Sequence, residues 1–122
     1  MELETKNAGM LELQPVNQQA LLDIMLEMGG VEALSNENFT PEGEKAILAS
    51  NRMLTYCLGW GVKNAPPSDA LATLEALGKP TNLPEIARAN WLRYIALESA
   101  EMSELVAAVM KLTFTPPETD EA

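Results

Sequence analysis

The chain has no histidine, a single cysteine, and only eight Lys and Arg residues against eighteen Asp and Glu. Each shortage removes a kind of chemistry. Without histidine, the usual general base near neutral pH and the commonest metal ligand are missing. The lone Cys57 permits no internal disulfide, no thiolate zinc cluster and no CxxC redox pair, and nothing points to an oxidising compartment. A formal net charge of −10 disfavours binding to phosphate backbones and to anionic membranes. No apolar run approaches the ~20 residues that a membrane span needs. The start, MELETKNAGM, lacks the cationic and apolar regions of a secretory signal. The phosphate-cradling glycine motifs, the GxSxG elbow and the DxDxDG calcium loop do not occur. The expectation is a soluble cytoplasmic protein with no catalytic residues, no cofactor and no metal.

What remains is helix-forming. At 122 residues the length suits one domain with its own core. Leu, Ala and Met dominate while Val and Ile are few, a bias toward helix over sheet. The expected fold is all-α, a small irregular bundle of four to five helices. Residues 1–15 form an N-terminal arm, 16–113 a helical domain, and 114–122 a flexible, disordered acidic tail rich in Pro, Asp and Glu.

The stretch Thr40 to Val62, TPEGEKAILASNRMLTYCLGWGV, is the expected centre of the fold. Thr40 with Pro41 is a helix-start signal, Glu42 and Glu44 suit the positive end of the dipole, and Gly59-Trp60-Gly61 reads as the stop. Its apolar face is Ala46, Ile47, Ser50, Met53, Leu54, Cys57 and Leu58, with Arg52 and Thr55 off it. Ahead of it, Leu11, Leu13 and Pro15 alternate with polar neighbours as an extended arm or edge strand would. Asn17 caps a helix over 18–28 that Gly29-Gly30 ends, with Leu21, Ile24, Met25 and Met28 inward and Leu22 and Leu26 widening the stripe. A connector spans 31–39. Beyond Val62, Ser68 caps a short helix that Gly78 and Pro80 terminate. Asn82, Pro84 and Glu85 start a fourth helix whose apolar face holds Ile86, Ala89, Trp91, Leu92, Ile95 and Ala96, with Arg88 and Arg93 off that face. Ser99 either caps a fifth helix or sits in a bend.

Tyr56 with Trp60, and Trp91 with Tyr94, sit on adjacent turns of two helices. The rings are expected to meet at the centre of the core; the rival is a docking surface, since Trp and Tyr favour interface hot spots. Seven methionines, Met102 among them, fill a core or line an adaptable groove for apolar segments. Glu98, Glu101 and Glu104 make one acidic stripe, either a solvated face or a rim for a basic partner helix. Cys57, on an apolar face and without a histidine, reads as a buried small hydrophobe.

The segment LPEIARANWLRYIALESAEMSELVAAVMKLTF (Leu83 to Phe114), with YCLGWGV (Tyr56 to Val62) upstream, resembles small proteins of tailed-phage and prophage structural modules, in particular the tail assembly chaperones. The resemblance implies a non-enzymatic helical protein, absent from the finished virion, that keeps the tape measure protein soluble during tail assembly in the cytoplasm of the infected bacterial host. It implies a protein partner, the tape measure or another tail protein, with a second copy of the chain as a further candidate and neither nucleic acid nor membrane as a direct one. On that reading Trp60, Trp91, Tyr94 and Met102 supply the apolar contact, and Glu98, Glu101 and Glu104 the rim. Two alternatives stand beside it: a virion structural part such as a head–tail connector or minor tail protein, and an acidic DNA-mimic inhibitor of a host nucleic-acid enzyme.

Overall fold

The computed structural model describes residues 1–29 and 43–114. Two antiparallel strands, β1 (Glu2–Thr5) and β2 (Gly9–Glu12), open the chain. Five helices follow among the described residues: α1 (Gln18–Met28), α2 (Glu44–Trp60), α3 (Ser68–Ala76), α4 (Pro84–Trp91) and α5 (Ser99–Phe114). A single π-helical turn, Leu92–Ala96, prolongs α4. The fold is the expected small helical bundle with one two-stranded sheet added. The expected cap at Thr40 and Pro41, the connector at 31–39 and the acidic residues of the tail lie outside the described residues.

Local signals set α1 to the residue. The Asn17 side chain accepts from the Ala20 N–H at 2.8 Å, satisfying one of the free donors of the first turn. Gly29 takes φ 133°, open to glycine, and its N–H closes the last turn on the Met25 carbonyl. Helix α3 ends on a paired bond pattern, Lys79 N–H to Leu74 O and Gly78 N–H to Glu75 O, with Gly78 at φ 74°. The expected side-chain caps Ser68 and Asn82 make no cap bond; Pro67 and Leu83 flank these helices instead. Pro84, whose φ is already helical, opens α4 without one.

Helix α2 packs against α1, α4 and α5 and is the hub of the molecule. The core around it is aliphatic: Leu11, Leu21, Leu58, Leu74, Leu92, Leu105, Val62, Val109 and Cys57 are fully enclosed. Leu11 and Leu13 bring the expected arm into that core as part of the hairpin. The aromatic centre expected from the sequence is absent. Of the four Trp and Tyr rings, only Trp91 is buried, at 6% exposure.

Gly59-Trp60-Gly61 is the expected stop, and it is also a junction. The helix runs through Gly59 to Trp60, and Gly61 caps it. A Cβ on Gly59 would lie 2.6 Å from the Glu85 carbonyl oxygen of α4 and 3.3 Å from Ala89 Cβ; one on Gly61 would lie 2.7 Å from Val109 of α5. Two glycines thus let two helices approach the same end of α2. Carbonyls freed there find partners from elsewhere. Arg88, expected off the packing face, donates to Gly59 O and to Asn64 O, both at 2.6 Å. Gln14 donates its side-chain N–H to Trp60 O and its backbone N–H to Gly61 O.

The π turn explains why Ile95 fails to face inward as the 3.6-residue period predicts. Leu97 N–H bonds Leu92 O, one residue further back than in an α-helix. The wider turn leaves Tyr94 and Ile95 exposed while Ala96 and Leu97 are buried.

Candidate functional site

Down α2, Arg52, Tyr56 and Trp60 recur every four residues and so lie one above another. Tyr56 and Trp60 form the ring pair of the described residues, with centroids 5.4 Å apart and planes inclined by 30°. With Thr55 of the same helix, Ile24 of α1 and Ile86 of α4, they line an open, almost wholly apolar pocket of about 280 Å³. The Tyr56 hydroxyl accepts the Asn17 backbone N–H at 3.2 Å, tying the pocket wall to the start of α1. Arg52 stands at the pocket and pairs with Glu27 of α1. Both rings are half-buried, and Tyr56 packs against the core.

The residues expected to bind a partner do not form one surface. Trp60 lines the pocket. Trp91 lies in the core, and Met102 packs half-buried against it. Tyr94 is 46% exposed on the π turn, with the Lys79 ammonium 4.4 Å and the Arg93 guanidinium 5.6 Å from its ring centre.

The acidic stripe is divided as well. Glu101 accepts the Glu98 N–H and the Lys6 N–H, each at 2.9 Å, fastening the hairpin turn to the start of α5. These two backbone bonds, Glu98's foremost, hold its carboxyl below the ordinary carboxylate range. Glu98 pairs with Lys6 Nζ at 3.6 Å. Of the three, Glu104 alone is exposed with no such tie. Cys57 is enclosed, 4.0 Å from Met53 Sδ, and burial pushes its thiol up to about 12, so little thiolate forms at neutral pH. Among the described residues, no group of three His, Cys, Asp or Glu side chains is placed to hold a metal ion.

Arg52 and Thr55, off the apolar face by period, and Ile24 and Ile86, on the apolar faces of their own helices, all line the pocket. A signal was present: the four-residue recurrence of Arg52, Tyr56 and Trp60 marks a ridge beside the buried one. Comparisons with protein-family models, with curated proteins and with solved structures found no match. No helix of the described residues is long and apolar enough to cross a membrane.

Proposed function

We propose that this chain is a non-enzymatic tail assembly chaperone that seats an apolar helical segment of a tape measure or other tail protein against the Tyr56–Trp60 pocket, in the cytoplasm of the infected bacterial host. The observation that carries the reading is the pocket itself. Trp, Tyr and Arg, the residue types that dominate binding hot spots, stand together with two isoleucines on a framework of three helices. Such a wall binds by removing apolar client surface from water, at about 25 cal/mol per Å², and needs no bond-making group. Arg52, paired with Glu27, gives the apolar anchor a polar rim. The net charge of −10 keeps the loaded complex soluble.

Co-expression with a tape measure fragment tests this. The wild-type chain is expected to hold the fragment in solution and to be missing from mature particles, whereas Trp60→Ser lets the fragment precipitate and Trp91→Phe does not. Equal solubilisation by Trp60→Ser sinks the pocket as the client site. Recovery of the protein in finished tails would favour a virion structural part instead.

A further inference from the structure

Among the described residues the hairpin leaves one backbone edge open, and its hydrogen-bond parity identifies which groups line it. The register pairs Glu2 with Glu12, Leu3 with Leu11, Glu4 with Met10 and Thr5 with Gly9. Leu13 N–H donates to Met1 O at 2.7 Å, so the odd-numbered residues of β1 exchange ladder bonds with β2. The backbone N–H and C=O groups of Glu2 and Glu4 therefore point the other way. On the far side of β2 the matching outward groups are filled: Lys63 N–H bonds Glu12 O, and the Asn64 side chain bonds Glu12 N–H and Met10 O. Among the described residues the edge of β1 has no counterpart; only Lys6 N–H, beyond its end, is taken, by Glu101.

The side chains on this edge have a consistent sign. Glu2, Glu4, Met10 and Glu12 share the outer face of the hairpin, and all are exposed. Glu2 stands directly across from Glu12 in a non-hydrogen-bonded pair, the closest cross-strand position, so two like charges oppose each other. Lys63, 3.5 Å from Glu12, offsets one of them. Leu3 and Thr5 turn to the core face, where Leu3 stays half-buried.

We propose that the open edge of β1 receives an extended basic segment of a partner protein by strand addition. Main-chain bonds go to Glu2 and Glu4, and alternate Lys or Arg side chains lie beside their carboxylates with apolar residues between them beside Leu3. A second copy of this chain is the wrong occupant, because antiparallel pairing of two β1 strands sets Glu2 against Glu4 twice. The same charges that guard the edge against self-pairing select a cationic strand. This surface shares no residue with the pocket and stands whether or not the pocket binds a client.

Amide exchange measured by NMR on the full chain, with the capped peptide Lys-Val-Lys-Val-Lys as probe, decides it. Saturating peptide is expected to slow exchange at Glu2 and Glu4 at least tenfold. The acidic peptide Glu-Val-Glu-Val-Glu, and a basic peptide N-methylated at its pairing amides, leave both sites unchanged. Glu4→Lys weakens the basic peptide roughly two- to fivefold, the size of one cross-strand charge pair. Glu4→Pro deletes an outward donor that the hairpin itself does not use, and abolishes the protection at Glu2 that Glu4→Ala only reduces. Equal binding of the N-methylated peptide, unaltered exchange at Glu2 and Glu4, or dimerisation through this edge would each overturn the proposal.

Discussion

Two ridges run side by side along α2 and meet opposite fates. Ala49, Met53, Cys57 and the capping Gly61 form one and are all buried; Arg52, Tyr56 and Trp60 form the other and wall an open pocket. Spacing is the same in both, so periodicity does not separate them. Size does. On the first ridge Gly61 lets α5 come so close that a methyl group has no room, and Gly59 beside it does the same for α4. Large rings on the second hold neighbouring helices apart and leave a concavity.

Truncation should part the ridges most sharply. Met53→Ala on the buried ridge is expected to lower stability by about 2–5 kcal/mol in urea unfolding, because the cavity is enclosed. Gly61→Ala should cost about 1–3 kcal/mol, since its methyl meets both the Cys57 carbonyl and Val109. A change within a few tenths of the wild type would show that α5 can simply shift away. On the open ridge, Tyr56→Phe removes only the acceptor for Asn17 N–H and should cost ~0.5–1.5 kcal/mol while leaving the pocket's apolar wall able to bind. If Tyr56→Phe proved as damaging as Met53→Ala, the contrast between the ridges would collapse.

The smallest effect concerns a tie outside both ridges. The Glu101 carboxyl is lowered in the folded chain, so the stability it lends is present above the ordinary carboxylate range and is lost as pH falls through its depressed value. The Lys6 amide resonance should therefore titrate with a midpoint below the ordinary carboxylate range. Glu101→Gln should remove that titration, and a midpoint at or above the ordinary value would show the tie to be absent in solution.

How far the sequence could be read depended on how local each cause was. Helix α1 was legible to its last residue because Asn17, the apolar period and Gly29 act within a few residues of one another. The hub role of α2 followed from its length and apolar face. The junction was not legible, because Gly59 and Gly61 are breakers by local rule and only the approach of Glu85 and Val109 gives them their use. Arg88 looked like a solvated charge; its partners, Gly59 O and Asn64 O, lie more than twenty residues away. Glu101 likewise read as one member of a stripe, although its second oxygen is committed to Lys6 at the other end of the chain.

Composition and period by themselves determined a small acidic helical domain without histidine, since those follow from residue type and i to i+4 geometry. Tertiary structure alone decided which aromatic rings are buried and which stay available. A helix presents several faces of equal spacing, and which one is covered depends on what the rest of the chain brings against it. Trp91 became core, Trp60 became a wall, and the hairpin edge stayed open for that reason.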